Sequence, residues 1–419
     1  CETMDDLTWE QATLLPTWLG GFGIGNIRLL AISAFTANVF ETKSAVLQKI
    51  ISARQYFPYL LNPDADSDTD YPDEIGVEPN QHDEFIEPFR SLYYELDTAA
   101  ASDNENILDI VHTTLNDTTK SSHKLQKLFS QILQNEQGRQ VFRKFKQCRT
   151  PPDNARLKSC CGSHSGAWLL CVPKDEHSRL GTEAFRFACR LRLGLPMRGS
   201  PTFCSLCRKH IDNFAIHPFS CPHQRSRLLE KHDMLVRLFK ALARVAGVKF
   251  QDHHLTIFLA LTENNLLRPD LLLAAMGPNL RDLFIDFVFT DPRSQSNAPQ
   301  SAVKFGAARD KRERMKINKY RDLCEQLGYS FTAASLEIFG SMTDSLHQLI
   351  QQLVQKAAER SNIPYSILFP YWCKRISMTV QRGNAKFFME ASVRMSGSSD
   401  SRGDASVMLA THHIRTVAE

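Results

Sequence analysis

The sequence lacks a long apolar run, because no stretch among its 419 residues approaches the roughly 18 uninterrupted apolar residues that cross a bilayer. It also lacks the basic and then apolar N-terminal pattern of a signal peptide, so neither a membrane span nor secretion is indicated. Its 11 cysteines are too sparse for a disulfide scaffold, and their clustering favours thiols or metal ligands in a reducing compartment. Because the first residue is Cys instead of Met, we expect the chain to be the C-terminal part of a longer protein.

The chain does have enough apolar material for a core, and its charge is uneven. Hydrophobic residues make up 42% of the sequence, which at this length predicts two or more domains. The net charge is +4, yet residues 60–117 contain 16 acidic side chains and one Arg, so the rest of the chain carries +19. We predict a disordered acidic linker or insertion over residues 62–118. The basic remainder favours a partner that carries phosphates, such as nucleic acid.

Two acidic residues lie in apolar segments that predict a β-hairpin. Asp270 precedes one apolar run, Asp286 lies within a second, and the Gly-Pro-Asn turn around Pro278 separates them. If a three-residue loop is centred on Pro278, residues equidistant from it face one another, and each acid lies eight positions away. Like charges on facing strands repel, and a shared divalent cation reverses that interaction. The hairpin therefore predicts a Mg²⁺ site; the alternative is that the acids only mark a turn and an edge strand.

A cluster of Cys and His residues predicts a zinc site upstream of the hairpin. Cys204 and Cys207 are separated by two residues, nine more precede His217, and three more precede Cys221. A Cys-x2-Cys pair places two thiolates at adjacent corners of a zinc tetrahedron, which His217 and Cys221 would complete. Four ligands in a short segment can fold a stretch that has no core of its own. His210 and His223 are alternative fourth ligands, and a set of metal-free buried thiols is the alternative to zinc.

Apolar spacing predicts that most of the remaining chain is helical. We predict helices near residues 121–148, 181–192, 225–246, 304–328, 345–358 and 370–393, with strands near 248–258 and 329–338. The Ser/Gly-rich stretch after Met395 is predicted to be disordered.

Basic side chains are concentrated in two of these helices. Eight Lys or Arg residues lie between positions 304 and 321, where Lys316 extends an apolar helical stripe and Lys319 lies on the same side. Their ammonium groups could reach the sheet, or simply extend into solvent. In the helix near 181–192, Arg190 and Arg192 favour either phosphate contacts or a solvated face.

The order of these features resembles the restriction-like endonuclease of site-specific non-LTR retrotransposons, a relative of the PD-(D/E)XK nucleases. The resemblance includes Arg268-Pro269-Asp270, the second acid Asp286, a Lys in the following helix, and the Cys-Cys-His-Cys zinc knuckle upstream. It also includes Lys231-His232-Asp233 after the knuckle. Further upstream, residues 16–37 look like the region beyond a reverse transcriptase domain, and residues 166–169 and 190–196 look like the linker before the knuckle.

This resemblance implies an α+β (mixed αβ) fold with a helical N-terminal region, a zinc knuckle, and a restriction-endonuclease-like mixed sheet flanked by helices. The implied divisions are a helical remnant following a reverse transcriptase domain over 1–61, the acidic linker over 62–118, a helical linker over 119–200, the knuckle over 201–223, the endonuclease over 224–358, and a helix with a disordered tail over 359–419. The chain shows no pair of polymerase aspartates in a strand-turn-strand setting, so we do not expect it to copy RNA by itself.

The activity implied is Mg²⁺-dependent hydrolysis of DNA, with a nick that primes reverse transcription. Asp270 and Asp286 would hold Mg²⁺, Lys316 or Lys319 would assist, and Glu337 is a further candidate ligand. The residues expected to bind nucleic acid are Arg190, Arg192, Lys231, His232, Arg268 and Arg312. The implied partners are double-stranded target DNA, element RNA as a further candidate, and the reverse transcriptase domain of the full-length protein, in the nucleus and without a membrane.

The sequence departs from that family's pattern in two places. Ordinary PD-(D/E)XK enzymes carry Lys two residues after the second acid, where this chain has Val288; the retrotransposon enzymes are similar to it in placing the Lys on the next helix. Compared with that family's zinc knuckle, the gap from Cys207 to His217 is slightly long and the gap from His217 to Cys221 is slightly short. The identity of the fourth zinc ligand therefore stays open. Two other classes of function are a catalytically decayed nucleic-acid-binding fragment and a structural scaffold for a missing polymerase domain.

Overall fold

The computed structural model describes residues 4–24, 122–197, 202–251 and 269–395. The acidic segment 62–118, Arg268, and the tail after Met395 lie outside the described residues, as does most of the predicted region 1–61. Within the described parts, ten α-helices accompany a two-stranded hairpin and a four-stranded mixed sheet, which confirms the α+β class. In the same parts, every helix is too short or too polar to span a bilayer.

The described elements follow one another in the order implied by the sequence. The helices are α1 (Asp6–Leu14), α2 (Ser122–Cys148), α3 (Pro151–Ser159), α4 (Thr182–Leu193), α5 (Ile216–Ser220), α6 (Arg225–Ala246), α7 (Ala298–Ser301), α8 (Ala307–Gln326), α9 (Asp344–Ser361) and α10 (Tyr365–Met395). The strands are β1 (Thr202–Phe203), β2 (His210–Ile211), β3 (Phe250–Gln251), β4 (Leu271–Leu273), β5 (Leu283–Thr290) and β6 (Ser330–Glu337). Helices α5 and α7 are short and were not predicted, whereas α3 lies within the predicted helical linker 119–200.

The four-stranded sheet has the order β3-β4-β5-β6, with β3, β4 and β5 antiparallel and β5 parallel to β6. Strand β4 pairs with β5 so that Leu271 faces Ile285 and Leu273 faces Leu283. These partners are equidistant from Pro278, so the predicted register is confirmed. The predicted loop length is wrong, because residues 274–282 connect the strands and include a 3-10 turn at Pro278–Leu280. The loop is symmetric about the predicted centre, which is why the register survives the error.

The two faces of the sheet pack against different helices. On one face, Leu272 and Phe284 contact Tyr320 and Cys324 of α8. Helix α8 is an uninterrupted run without Pro or Gly, and it is preceded by Gly306, whose φ of 71° places it in the left-handed region that Gly tolerates. Because side chains alternate along a strand, Asp270 and Asp286 belong to this same face. The sheet therefore presents both acids towards the basic helix.

The other face of the sheet forms the main core with helices α6, α9 and α10. Their buried apolar side chains meet those of the strands, and burial of each large one contributes about 1.5–3 kcal/mol. The helical members include Leu235, Phe239, Leu242, Leu346, Ile350, Leu353, Trp372, Ile376 and Val380. Because α10 supplies Trp372, Ile376 and Val380, this core continues past residue 358 into the helix that follows the predicted endonuclease region.

The chain divides into two compact units. Among the described residues, the larger unit contains 4–9, 17–22 and everything from Phe145 onward. The smaller unit contains residues 10–16, residues 23 and 24, and the part of α2 that ends at Lys144, whose Nζ lies 2.6 Å from Oε1 of Glu10. All the residues discussed below belong to the larger unit.

Candidate active site and metal-binding module

The hairpin brings the two predicted acids to one place. Asp286 is in the middle of β5 and is 3% exposed, whereas Asp270 immediately precedes β4 and its backbone N–H donates to the carbonyl of Ile285. Continuing the register of Leu271 and Ile285 by one residue places Asp270 opposite Asp286. Oδ2 of Asp270 also accepts a hydrogen bond of 2.6 Å from the backbone N–H of Phe287. The first acid is thus fixed to the strand that carries the second.

Helix α8 distinguishes between the two candidate lysines. Nζ of Lys316 lies 2.6 Å from Oδ2 of Asp286, and the Lys316 side chain retains 29% exposure. Lys319 is exposed, and its Nζ lies over the ring of Tyr320 at 4.9 Å. Lys316 is therefore the lysine that contacts Asp286, while Lys319 lies on the surface of the same helix.

His232, which precedes both acids in the sequence, contacts the first of them. Its Nε2 lies 2.8 Å from Oδ2 of Asp270, and its Nδ1 lies 3.2 Å from Oδ1 of Asp233. Helix α6 packs on the sheet through Phe239, which contacts Phe287, and this packing places His232 at the start of β4. The sequence motif alone predicts that His232 binds nucleic acid. Its contact with Asp270 depends on tertiary packing and has no signal in local spacing.

The electrostatics of this cluster follow from burial and from mutual repulsion. Burial and the nearby charge of Asp270 raise the pKa of Asp286 to about 6, against the opposing effect of Lys316. Although burial opposes protonation of His232, hydrogen bonds and charges from Asp270 and Asp233 raise the pKa of its ring. Two carboxylates thus share a partly buried site with two basic groups.

The donors present fit a hard divalent cation. Carboxylate oxygens are the ligands that Mg²⁺ prefers, and Mg²⁺ commonly takes only one or two of them, with waters and substrate phosphate completing the shell. Among the described residues, Oδ1 of Asp270 accepts no hydrogen bond, while its Oδ2 is held by Phe287 and His232. The side chains of Asp270 and His232 are each 19% exposed, so this cluster reaches solvent.

Glu337 does not belong to this cluster, and its prediction as a third metal ligand is wrong. It faces Thr290 in the parallel pair, four residues beyond Asp286, which at about 3.3 Å per residue is roughly 13 Å along the sheet. It is 1% exposed, and its Oε2 accepts a hydrogen bond of 2.5 Å from the hydroxyl of Ser159. Burial raises the pKa of Glu337 to about 7. The strand prediction was correct, but the position along the strand was too distant.

The zinc-spaced residues also come together. Ligand atoms of Cys204, Cys207, His217 and Cys221 all lie within 4.8 Å of one another, and Sγ of Cys207 lies 3.4 Å from Nε2 of His217. The alternative ligand His210 instead meets the ring of Phe203 edge-on at 5.7 Å. The structure therefore places His217, and not His210, in the group.

Backbone geometry explains how so short a segment presents four ligands. The β1–β2 turn is closed by hydrogen bonds of Cys204 N–H to Lys209 and of Arg208 N–H to Cys204. Asp212 then caps the start of α5, since its carboxylate accepts the N–H groups of Phe214, Ile216 and His217. The hairpin and the short helix each contribute two ligands.

The pKa values of two of these thiols shift in opposite directions. Burial and the neighbouring thiols raise the pKa of Cys221 to about 11. The pKa of Cys207 is lowered, because hydrogen bonds from the Lys209 backbone and from its neighbouring thiols outweigh burial. A bound metal would ionise the whole set, and three thiolates with one imidazole in a closed tetrahedral group suit Zn²⁺.

The segment that carries these four residues also packs on a shared core, which the sequence did not predict. Cys204, Phe219 and Cys221 lie in one apolar cluster with Phe187 of α4 and Phe387 of α10. Folding of this segment therefore does not depend on metal ligation alone.

Two of the residues predicted to bind nucleic acid are instead buried. The guanidinium of Arg192 donates to the carbonyls of Gly21 and Thr17, and Arg192 is 3% exposed. Lys231 is also 3% exposed, and its Nζ lies 3.9 Å from the centre of the Phe289 ring. Both predictions are wrong, because backbone carbonyls hold the guanidinium of Arg192 and an aromatic ring contacts the ammonium of Lys231 inside the protein.

Arg190 and Arg312, which were also predicted to bind nucleic acid, lie in different environments. Nε of Arg190 donates to the carbonyl of Pro196 at 2.7 Å, so part of its guanidinium stabilises the end of α4. Arg312 is exposed on α8, one turn before Lys316. Arg312 keeps a surface position compatible with phosphate binding.

Comparison with known proteins adds no family assignment. No protein-family model matches the chain, and no curated protein matches it either.

Proposed function

We propose that this chain is the metal-dependent DNA endonuclease portion of a non-LTR retrotransposon protein. The observation that supports this function most strongly is the meeting of Asp270, Asp286 and Lys316 at one partly exposed site. Three elements converge there: the start of β4, the middle of β5 and helix α8. The sequence resemblance indicates which reaction to expect, and the cluster contains the carboxylate and ammonium groups that this reaction uses.

The residues divide the work of phosphodiester hydrolysis among them. Asp270 and Asp286 would hold Mg²⁺, which when bound supplies charge stabilisation and a more acidic water. Lys316 is positioned to orient that water or to neutralise charge that develops on the phosphate. His232 holds Oδ2 of Asp270 in place, since its other ring nitrogen is fixed by Asp233.

The same proposal assigns Zn²⁺ to the four-ligand module. Cys204, Cys207, His217 and Cys221 would hold it in a closed structural site. Elemental analysis of purified protein should find one zinc per chain, and Cys207→Ser should reduce that content. Cys148→Ser is the matched control, because Cys148 is exposed and lies outside the group.

The biological setting follows from the resemblance alone. The nick would be made in double-stranded target DNA in the nucleus, and its 3′ hydroxyl would prime reverse transcription of the element RNA by a reverse transcriptase domain of the full-length protein. Because Arg192 and Lys231 are buried, they do not contribute to a DNA-binding surface. Helix α8 with its exposed Arg312 is the better candidate for that surface.

The test is nicking of supercoiled plasmid DNA in Mg²⁺. Asp270→Ala should abolish nicking and leave DNA binding nearly intact, while Asp322→Ala, which removes an exposed acid from α8, should nick like the parent. Undiminished nicking by Asp270→Ala would falsify the assignment. If the parent protein binds DNA in a zinc-dependent way but cleaves none in Mg²⁺ or Mn²⁺, the chain is a decayed binding module instead. Absence of salt-sensitive DNA binding would favour the scaffold function.

A further inference from the structure

Two histidines from separate segments of the chain meet through their ring nitrogens. His164 lies in the loop between α3 and the 3-10 turn Ala167–Leu170, and His347 lies in the first turn of α9. Their Nε2 atoms are 3.2 Å apart, whereas the centres of the two rings are 5.2 Å apart. The nitrogens are therefore directed towards each other, and the rings do not overlap face to face. Neither residue belongs to the acid cluster or to the Cys204 group described above.

The backbone holds both histidines in place. The carbonyl of His164 accepts a hydrogen bond of 3.1 Å from the N–H of Ala167. The hydroxyl of the next residue, Ser165, donates to the carbonyl of Gly162 at 2.8 Å, which closes the loop on itself. His347 lies within a regular helix of 18 residues. The two ring nitrogens are thus presented by backbone that is already ordered.

A third segment fixes the orientation of the rings. Phe369 of α10 meets both rings edge-on, with its centre 5.5 Å from that of His164 and 5.6 Å from that of His347. Tyr365 stacks on the same phenylalanine at 5.3 Å. Both histidines nevertheless remain half-buried instead of enclosed. An ion and its waters can therefore reach the two nitrogens.

The separation of the nitrogens matches that of two ligands on one metal ion. At a Zn–N distance of about 2.0–2.1 Å, nitrogens at neighbouring tetrahedral corners are about 3.3–3.4 Å apart, and at neighbouring octahedral corners about 2.9 Å. The observed 3.2 Å lies between these values. A ligating imidazole must also be neutral. Burial and the nearby charge of His347 lower the pKa of His164 to about 4, so His164 is neutral at pH 7.

We propose that His164 and His347 bind one late first-row transition-metal ion, such as Zn²⁺ or Ni²⁺, through their Nε2 atoms. Imidazole nitrogen suits these ions, whereas Mg²⁺ prefers oxygen ligands. In the described part of the chain, three or more potential ligands converge only at the Cys204 group, so water completes the shell of this second site. The bound ion connects the loop after α3 to α9. This inference does not depend on the proposed nuclease activity.

The decisive measurement is calorimetric titration of Ni²⁺ into the intact, zinc-loaded protein with Mg²⁺ in excess. The parent should bind one Ni²⁺ that His164→Ala and His347→Gln each weaken by at least about 100-fold, because loss of even a hydrogen-bond partner of a metal ligand costs about 10–100-fold. His177→Ala is the matched control, since His177 is exposed and lies outside the pair. Zinc content measured after the titration shows whether Ni²⁺ has displaced Zn²⁺ from the thiols.

Thermal unfolding gives a second readout that also reports on folding of the variants. Ni²⁺ should raise the unfolding temperature of the parent and of His177→Ala, and should leave those of His164→Ala and His347→Gln unchanged, because an ion that binds only the folded chain stabilises it. The same curves without Ni²⁺ show whether each variant is folded.

Two outcomes would overturn this inference. One is Ni²⁺ affinity within about threefold of the parent in both pair variants, and the other is a parent that binds no Ni²⁺ under these conditions. In the second case the two rings share only a hydrogen bond. Nicking of supercoiled DNA in Mg²⁺ by the same preparations reports on the proposed function separately, so failure of one does not imply failure of the other.

Discussion

Two buried carboxylates lie on neighbouring parallel strands, and helix α8 places a basic residue near each of them. Asp286 of β5 has the ammonium of Lys316 at 2.6 Å, in a cluster that reaches solvent through Asp270 and His232. Glu337 of β6 is enclosed, with hydrogen bonds from the Ser159 hydroxyl and, at 3.4 Å, from the backbone N–H of Arg309.

The difference between these two carboxylates separates a candidate reactive site from a structural one. Burial raises the pKa of both groups, to about 6 for Asp286 and about 7 for Glu337. A raised pKa therefore does not identify the functional acid. The functional acid is expected to be the one that has access to solvent and a second carboxylate beside it, because a metal and a phosphate need both room and ligands.

The largest expected effect is on catalysis. Asp286→Asn should reduce the rate of nicking in Mg²⁺ by at least about 100-fold, because loss of a metal ligand removes several kcal/mol of charge stabilisation. Glu337→Gln should nick within about threefold of the parent, since Glu337 lies outside the cluster. Equal losses in the two variants would erase the distinction between the two acids. Single-turnover nicking rates on supercoiled plasmid provide the measurement.

The two lysines of α8 offer a narrower comparison. Lys316→Met should slow nicking by about 10-fold to 100-fold, because a positioned charge at the reacting group is lost. Lys319→Met should change the rate by less than about threefold, as expected for a side chain exposed on the helix surface. The opposite order of effects would move the catalytic assignment from Lys316 to Lys319.

Glu337 is expected to affect the free energy of unfolding and not the rate of nicking. Its pKa is about 7 in the folded chain against an ordinary 4.5, so folding favours the protonated acid. The protonated acid therefore stabilises the fold fully below about pH 4.5, and this contribution is lost as the pH rises through 7. The change is about 3 kcal/mol. Urea unfolding between pH 5 and 8 should show this decline in the parent and not in Glu337→Gln; parallel profiles would contradict it.

A smaller effect is expected at the partner of Glu337. Ser159→Ala removes the hydroxyl that donates to Oε2 and should cost about 1–3 kcal/mol, because a buried oxygen loses its hydrogen bond. Nicking at low temperature should be unchanged. Ser220→Ala is a suitable control, since the Ser220 hydroxyl is exposed on α5. Loss of nicking in Ser159→Ala without loss of stability would connect this group to the reaction.

The sequence predicted the acid pair well because the relevant constraint is local. The turn around Pro278 and the alternation of strands together determine which residues face each other, and the observed pairs agree. The grouping of Cys204, Cys207, His217 and Cys221 was likewise predictable from their spacing. The choice between Lys316 and Lys319 was not, because both lie on one side of the helix and only tertiary packing decides which one reaches Asp286.

The errors share a physical cause. Arg192 and Lys231 looked like surface cations, and Glu337 looked like a ligand, because sequence alone does not show which polar side chains find partners inside the protein. His232 illustrates the reverse case, since its contact with Asp270 depends on how α6 packs on the sheet. Long-range packing of polar groups is what local patterns leave undetermined.

The single helix that serves both carboxylates also limits how the chain can change in length. Arg309 and Lys316 are seven residues apart on α8, which at 1.5 Å per residue is about 10 Å along its axis. One residue inserted between them would turn everything beyond it by about 100° and carry Lys316 away from Asp286. The connection 274–282 has no such constraint, because a longer loop can leave the strand pairing intact. Length variation should therefore be tolerated in that loop and rejected in the first turns of α8.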